Sequence, residues 1–388
     1  MLAKILKGLF GRTAPRGVAS QHPVELSAII RQATALQYGR DFEGAARLMQ
    51  QFVARQGAHL TGRERADVLQ RLALCRLRQF RLEEASALFE EARRAFPAHP
   101  LVDRLAQYPA LVSQSLPVRR AALEPMRSSG SGRRRGLAAV YYFLQLPHSV
   151  EGTGRGYFSL MRKSIESLKA AIPQARAILL TDRTTAVDGS AGFDEVLRED
   201  FDPNELVYGR LVGISKLLGS LRASEDIVLL DPDTLVLRDF RPVFELEFDL
   251  GFTVRSDFVE AAMDHEPINV GVILVRAEGA SRAKSFFDLC IRHFPEVESR
   301  AAMRQFYPQG LRGWRGDQVL PAAVVGWREF CEHVVSGRTD RLRIGDCSVG
   351  FFESKLYNCS SPVSGGDAAQ TFIVHHKGAH KGRMLVER

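Results

Sequence analysis

The chain has 388 residues, with 53 lysines and arginines against 45 aspartates and glutamates, so its formal net charge is +8. Hydrophobic residues make up 45% and charged residues 25%, which excludes disordered, collagen-like and disulfide-dense chains. The length suits about two or three domains. The five cysteines are scattered and form no CxxC pair, so the sequence predicts neither a disulfide framework nor a zinc site and favours the cytoplasm.

Residues 1–22 are predicted to form a basic amphipathic leader. In MLAKILKGLFGR, apolar residues recur at helical spacing, with Lys4, Lys7 and Arg12 between them. Such a helix can lie on an anionic membrane surface, which predicts a peripheral contact at the inner face of the membrane; the alternative is a frayed leader. Because no run approaches about 20 apolar residues, we expect no membrane-spanning helix.

Residues 23–112 have the composition and periodicity of packed helices. Two segments in this range are similar, RDFEGAARLMQQFVA and RLEEASALFEEARRAFP, with Ala45 and Ala85 in equivalent positions. The second resembles a tetratricopeptide repeat, in which Ala85 and Ala92 allow close helix packing and Pro97 ends the helix. Two copies are fewer than an independent solenoid usually needs. The region is therefore either a protein-binding module or a helical cap that leans on the next domain.

A linker is predicted at residues 113–136. It ends in RSSGSGRRR, a serine, glycine and arginine composition typical of solvated linkers. The basic run could contact phosphates, but the chain lacks a basic stripe with interleaved aromatic residues. We therefore expect no nucleic-acid partner.

Predicted strands and helices alternate in residues 137–388. The strands are GLAAVYYFLQL, ARAILLTD, DIVLLDPD, LGFTVRS and INVGVILVR, and the helices are YFSLMRKSIESLKAAI and ELVYGRLVGISKLLGSLR. Apolar strands that alternate with amphipathic helices predict an α/β fold with a largely parallel sheet covered on both faces. Such sheets bind ligands at the carboxyl ends of their strands, where Asp182 and Asp231 are placed.

The triplet Asp231-Pro232-Asp233 follows the buried strand IVLL. Two carboxylates one residue apart at a strand end can bind Mg²⁺ or Mn²⁺, with substrate phosphates completing the coordination shell; the alternative is a surface turn. The pattern also fits a haloacid-dehalogenase-like phosphatase, with Asp231 as nucleophile and Asp233 as general acid. That enzyme needs a second acidic pair, which Gly345-Asp346 begins but does not complete.

The C-terminal segment FIVHHKGAHKGR places His375, Gly378 and Lys381 in the spacing HxxGxxK. A neutral imidazole is a good third ligand for Mn²⁺ beside two carboxylates. Glycine allows the backbone to approach a phosphate, and a lysine can neutralise a departing diphosphate. The segment belongs to one site with Asp231 and Asp233 only if the tail folds back; otherwise it is a basic tail.

Taken together, these motifs resemble the GT-A nucleotide-sugar glycosyltransferases, most closely glycosyltransferase family 8. The resemblance rests, in order, on VYGRL, IVLLDPDTLVLRDF, INVGVILVR, GDQ and HxxGxxK. It implies a Rossmann-like GT-A domain over residues 137–388, preceded by the all-α tetratricopeptide-like region. The implied activity is a hexosyltransferase that uses Mn²⁺ or Mg²⁺ and moves a sugar, with retention, from a UDP-sugar to a hydroxyl group of a glycan, lipid-linked or protein acceptor.

The resemblance also assigns roles to residues. The implied metal ligands are Asp231, Asp233 and His375; the implied substrate-binding residues are Arg210, Asn269, Gly271, Gly378 and Lys381; the implied catalytic residues are Asp317 and Gln318. Gln318 would lie near the reacting carbon, although an amide is too weak to be a nucleophile. The alternatives are a helix-surface Arg210, an Asn269 in a turn and an Asp317 that caps a helix. Gly382-Arg383 stand where the family tail usually has Pro-Trp.

Two other functional classes stay open for the whole chain: the haloacid-dehalogenase-like phosphatase and a non-catalytic helical scaffold.

Overall fold

The computed structural model describes residues 22–98, 109–110, 113, 116–129, 135–145, 153–220, 225–254, 267–307, 310–313, 315–336, 338–360, 370–376 and 381–384. The predicted leader, apart from its last residue, lies outside these ranges. Within them, no helix has the length and apolarity that a membrane span requires.

The chain begins with four helices and continues with alternating strands and helices. The helices are α1 (His22–Tyr38), α2 (Phe42–Gln56), α3 (Gly62–Arg78), α4 (Leu82–Ala95), α5 (Thr153–Ala171), α6 (Leu206–Ser220), α7 (Ala280–Ser299), α8 (Ala301–Phe306), α9 (Gly316–Val325), α10 (Trp327–Ser336), α11 (Ser354–Tyr357) and α12 (Lys381–Met384). The strands are β1 (Glu124–Pro125), β2 (Gly136–Tyr142), β3 (Arg176–Asp182), β4 (Glu195–Glu199), β5 (Glu225–Leu230), β6 (Thr234–Val236), β7 (Leu250–Val254), β8 (Ile268–Val275), β9 (Asp340–Ile344), β10 (Cys347–Glu353) and β11 (Ile373–His375). The predicted α/β class with a preceding all-helical region is confirmed.

The first four helices form two hairpins, α1–α2 and α3–α4. The carboxylate of Asp41 accepts a hydrogen bond from the amide of Gly44 at the start of α2, and Thr61 and Glu64 form a capping box at the start of α3. The two similar sequence segments correspond to α2 and α4, so they are equivalent helices of the two hairpins. Their assignment to the tetratricopeptide class stays a prediction.

The helical hairpins pack against the α/β region. The Leu77 carbonyl lies 3.7 Å from Cys331 Sγ of α10, and Arg40, between α1 and α2, forms a 2.6 Å ion pair with Glu353 at the end of β10. Leu77 shares one hydrophobic cluster with residues of α10 and of the sheet. These contacts favour the helical-cap interpretation, while the domain boundaries stay predictions.

The main sheet is mixed. Its strand order is β1-β9-β10-β7-β8-β5-β2-β3-β4. Parallel pairing joins β10 to β7, β5 to β2, β2 to β3 and β3 to β4, whereas β8 is antiparallel to both β5 and β7, and β9 is antiparallel to β10. The prediction of a largely parallel sheet is wrong at β8, which runs antiparallel to both of its neighbours. Strand β9, which the sequence analysis did not predict, is antiparallel to β10 because a two-residue turn joins them.

Both faces of the sheet are covered, as predicted. Along β2, Ala138 and Val140 belong to one hydrophobic cluster, and Leu137 and Ala139 belong to a second cluster on the opposite face. Strand β8 is buried over its whole length. Strands β5, β7 and β10 run in one direction and β8 runs in the other. The carboxyl ends of β5, β7 and β10 and the amino end of β8 therefore lie at the same end of the sheet, where the candidate site lies.

Candidate functional site

Residues 231–233, called the DxD turn below, connect β5 to β6. The Thr234 amide and hydroxyl both bond to the Asp231 carbonyl, at 3.2 and 2.8 Å, which closes the turn. The Asp231 amide donates to the Gly271 carbonyl at 2.9 Å and so attaches the turn to β8. Asp233 is buried, whereas Asp231 is half-buried. The surface-turn alternative is therefore wrong.

The C-terminal tail folds back onto this turn. Strand β11 pairs antiparallel with β6, and the pairing sets His375 opposite Thr234. His375 Nε2 lies 3.1 Å from Asp233 Oδ1 and 3.5 Å from Asp231 Oδ2. One ligand atom from each of these three residues lies within 4.8 Å of the others. The condition that sequence reasoning set for a single site is met.

Asp233 also contacts Lys381 at the start of α12. Lys381 Nζ lies 3.0 Å from Asp233 Oδ2 and donates to the Tyr157 hydroxyl at 3.1 Å. Burial raises the pKa of Asp233, but His375 and Lys381 more than offset it, and the net pKa is lowered. Asp233 is thus ionised at neutral pH, the state that a metal ligand requires. Gly378, between His375 and Lys381 in the motif, lies outside the described residues.

Arg210 of α6 connects the DxD turn to α9. Its Nη2 lies 2.9 Å from Asp231 Oδ1 and donates to the Val270 carbonyl at 3.0 Å, while its Nη1 donates to Asp317 Oδ2 at 3.1 Å. Burial lowers the pKa of Arg210, but the charges of Asp231 and Asp317 raise it by more than burial lowers it. The net pKa is raised, so the guanidinium stays charged. The residue is 9% exposed, so the helix-surface alternative is wrong.

Asp317 and Gln318 lie in the first turn of α9. The capping position is occupied by Arg315, whose φ of 72° is left-handed, so the interpretation of Asp317 as the helix cap is wrong. Asp317 is buried and reaches the DxD turn through Arg210. The backbone amide of Gln318 donates to the Arg315 carbonyl at 3.0 Å, so Gln318 belongs to the same helical turn as Asp317.

Asn269 and Gly271 lie within β8 rather than in a turn. A Cβ atom at Gly271 would lie 2.3 Å from His375 Nδ1 and Cε1, so only glycine leaves space for the imidazole. Asn269 Oδ1 accepts a 3.3 Å hydrogen bond from the Gly271 amide. In the described part of the chain, the buried Nδ2 of Asn269 has no hydrogen-bond partner.

Sequence reasoning missed three side chains at this site. Asn358, which follows α11, accepts from His375 Nδ1 at 2.9 Å and contacts Thr253 of β7. The ring of Tyr157 lies 4.7 Å beneath Lys381 Nζ. Asn358 and Thr253 have no characteristic spacing from the ligands, and an aromatic residue at helical spacing is most simply read as core. Their contacts join residues that are far apart in the sequence, so they follow from the folded structure and not from a local pattern.

Comparison with known proteins gives matches among solved structures alone. No protein-family model matches the chain, and no curated protein matches it. The galactosyltransferase LgtC, solved with donor and acceptor sugar analogs, is 16% identical over 62% of this chain and 87% of that one, with a TM-score of 0.37. GlyE from Streptococcus pneumoniae TIGR4 is 12% identical over 63% and 55%, with a TM-score of 0.39. Mouse xyloside xylosyltransferase 1 is 11% identical over 63% and 99%, with a TM-score of 0.37.

Proposed function

We propose that the protein is a metal-dependent glycosyltransferase that moves a sugar from a nucleotide diphosphate donor, UDP in the first instance, to a hydroxyl acceptor. The observation that carries this proposal is the pairing of β11 with β6, which places His375 against Asp231 and Asp233. A basic tail would leave this histidine in solvent, yet it is 4% exposed and faces two carboxylates. The acceptor would be a glycan, a lipid-linked sugar or a protein.

The three converging ligand atoms fit a divalent cation. An imidazole nitrogen and two carboxylate oxygens suit Mn²⁺, and the carboxylates also suit Mg²⁺. Asp231, Asp233 and His375 would hold the ion, and Asp233 is already ionised through its lowered pKa. When bound, the cation acts as a Lewis acid that offsets the charge on the leaving diphosphate.

The remaining polar groups suit a donor sugar and its phosphates. Asn269 Nδ2 is a buried donor without a partner among the described residues, and such a group costs about 1–3 kcal/mol that a sugar hydroxyl would relieve. Asp317 can accept from hydroxyls, with Gln318 beside the reacting carbon. Lys381, together with Gly378, would bind the diphosphate. Both terminal nitrogens of Arg210 contact carboxylates of the protein, so we assign this residue the role of holding Asp231 and Asp317 in place.

The proposal extends to the stereochemistry of the transfer, to the helical region and to the leader. Retention of configuration and the hexosyl class follow from the resemblance to family 8. Helices α1–α4 would serve as a cap that can also bind a protein partner. The basic leader would hold the enzyme at the inner face of the membrane, near a lipid-linked acceptor.

A panel of UDP-sugars incubated with the protein and Mn²⁺ tests the proposal. We expect at least one donor to release UDP, with water taking the place of the acceptor and with EDTA abolishing the release. NMR recorded before the freed sugar mutarotates should show the anomeric configuration of the donor. The Asp346→Asn variant is the matched control, since it alters an exposed carboxylate outside the site. Hydrolysis of phosphate esters instead, unaffected by His375→Ala, would identify the phosphatase, and inactivity towards all donors and esters would favour the scaffold.

A further inference from the structure

Strand β11, which carries His375, is only three residues long. It pairs antiparallel with β6, with Ile373 opposite Val236 and His375 opposite Thr234. All three residues of β11 are buried, so the strand lacks the alternation of buried and exposed positions that usually fixes a register. Backbone groups are the same at every residue, so their hydrogen bonds can form in a shifted register too. The register of β11 therefore depends on side chains that lie beside the strand.

Two adjacent histidines make this register decisive for the site. Side chains of directly opposite residues lie on the same face of a sheet, and the one opposite Thr234 is the one that faces the DxD turn. A shift by one residue would set either Val374 or His376 opposite Thr234. Such a shift moves the chain by about 3.4 Å, which exceeds the 3.1 Å between His375 Nε2 and Asp233 Oδ1. The register thus determines which histidine joins the metal site.

Arg238, two residues beyond β6, contacts the tail just before β11. Its Nη2 and Nε donate to the Thr371 carbonyl at 3.0 and 3.3 Å, and its Cζ lies 4.9 Å from the centre of the Phe372 ring. The Phe372 ring also stacks on Tyr357 of α11, with 5.2 Å between the ring centres and 6° between the planes. The Leu237 amide donates to the Phe372 carbonyl at 2.8 Å. These contacts attach one specific aromatic residue of the tail to the end of β6.

We propose that Arg238 is a positioning residue that sets the register of β11 on β6 and so selects His375, rather than His376, for the metal site. A guanidinium has a planar face and directional donors, so it binds an aromatic ring and a neighbouring carbonyl at the same time. In this chain that pair is the Phe372 ring and the Thr371 carbonyl. This inference rests on the proposed metal-dependent function.

A shifted tail would lose the aromatic contacts. In the shift that sets His376 opposite Thr234, Ile373 takes the place of Phe372 beside Arg238. Isoleucine has no π system, so the cation–π contact with the guanidinium is lost. In the absence of Arg238 neither register has this contact, so the two differ less in free energy and the shifted one becomes populated.

The first test traps each register as a disulfide in the metal-free protein. Val236→Cys with Ile373→Cys reports the observed register, because these residues are directly opposite. Val236→Cys with Val374→Cys reports the shift that brings in His376. Both pairs carry Cys359→Ser, because Cys359 bridges to Val374. In an otherwise unchanged chain, we expect mild oxidation to link the first pair and not the second.

The same cysteine pairs then test Arg238. Addition of Arg238→Leu should allow the second pair to link, and Arg238→Lys, which keeps the charge but loses the planar fork, should give an intermediate yield. Arg241→Leu is the matched control, because in the described residues the hydrogen bonds of this guanidinium go to Asp239, at 2.6, 2.9 and 3.2 Å. It should leave the first pair as the linked one. If the second pair never links in Arg238→Leu, or links equally in Arg241→Leu, the proposal is overturned.

A second measurement needs no new cysteine and covers the case in which the buried substitutions do not fold. Hydrogen exchange of the metal-free protein reports the Leu237 amide and the His375 amide, which donates to the Cys359 carbonyl at 2.9 Å. Arg238→Leu should speed the exchange of both about tenfold, the factor expected for loss of a hydrogen bond from a charged donor. Arg241→Leu should leave both at the wild-type rate. Unchanged exchange in Arg238→Leu would contradict the proposal.

Titration of Mn²⁺ separates this inference from the proposed function. In Arg238→Leu, Mn²⁺ binding is expected to weaken by about 10–100-fold, the range for loss of a group that orients a metal ligand. Unchanged Mn²⁺ affinity in a chain with a shifted tail would overturn the claim that Arg238 selects the ligand. Failure of wild type to bind Mn²⁺ would instead contradict the proposed function, and the disulfide pattern would still show whether Arg238 sets the register.

Discussion

His375→Ala and Asp233→Asn are each expected to weaken Mn²⁺ binding by more than about 100-fold. Each change removes one of three ligand atoms that converge within 4.8 Å. Loss of a group behind a ligand already costs 10–100-fold, so loss of the ligand itself should exceed that range. Asp233→Asn also removes the carboxylate that holds Lys381, at 3.0 Å. Isothermal titration of Mn²⁺ into the metal-free protein measures the effect, and UDP release from the donor should fall in parallel.

The control is Asp346→Asn, which should bind Mn²⁺ like wild type because Asp346 is exposed and outside the site. The pattern across variants separates the functional classes. A haloacid-dehalogenase-like phosphatase would lose all activity with Asp231→Asn but would tolerate His375→Ala. If His375→Ala left Mn²⁺ affinity unchanged, the tail would not contribute to the metal site and the three-ligand account would be wrong.

Arg210→Leu is expected to lower the free energy of unfolding by about 3 kcal/mol or more. The guanidinium is buried and contacts Asp231 at 2.9 Å and Asp317 at 3.1 Å. Removal of one member of a buried ion network leaves its partners as uncompensated charges, which typically costs 3–5 kcal/mol. Lysine should not substitute well, because one ammonium cannot reproduce the fork that reaches both carboxylates and the Val270 carbonyl. Denaturant unfolding measures the change.

Arg183→Leu provides the matched control for this prediction. Its ion pair with Asp200 is largely exposed, with side-chain exposures of 71% and 77%, and exposed pairs contribute about 1 kcal/mol or less. A double variant, Arg210→Leu with Asp317→Leu, should recover part of the lost stability because one orphaned carboxylate is gone. Equal effects of Arg210→Leu and Arg183→Leu would mean that Arg210 does not hold the two acids in place.

The elements of the fold were predictable because their patterns are local. Apolar runs identified β2, β3, β5 and β8, and helical periodicity identified α5 and α6 close to their observed ranges. The antiparallel direction of β8 was not predictable, because a fully buried strand has the same continuous apolar pattern in either direction. Strand direction depends on which neighbour a strand pairs with, and that is a property of the whole sheet.

The site was predictable in its ligands but not in their supports. Residue type and position alone indicated the metal ligands: the two aspartates of the DxD turn, directly after a buried strand, and a histidine near the C-terminus. Asn358 could not be identified in the same way, because its role depends on the contact of α11 with β8 and β11. The burial of Arg210 had a signal, since α6 carries apolar residues on most of its surface, as a helix inside a core does.

Isothermal titration of UDP, with and without Mn²⁺, into wild type and His375→Ala tests the central claim most directly. The account predicts UDP binding that requires Mn²⁺ and is strongly weakened by the substitution, because the DxD turn and the C-terminal tail would form one donor site. UDP binding that is equally strong without metal, or unchanged in His375→Ala, would contradict it. If another nucleoside diphosphate binds in place of UDP with the same dependence on metal and His375, the site stands and the choice of UDP is wrong.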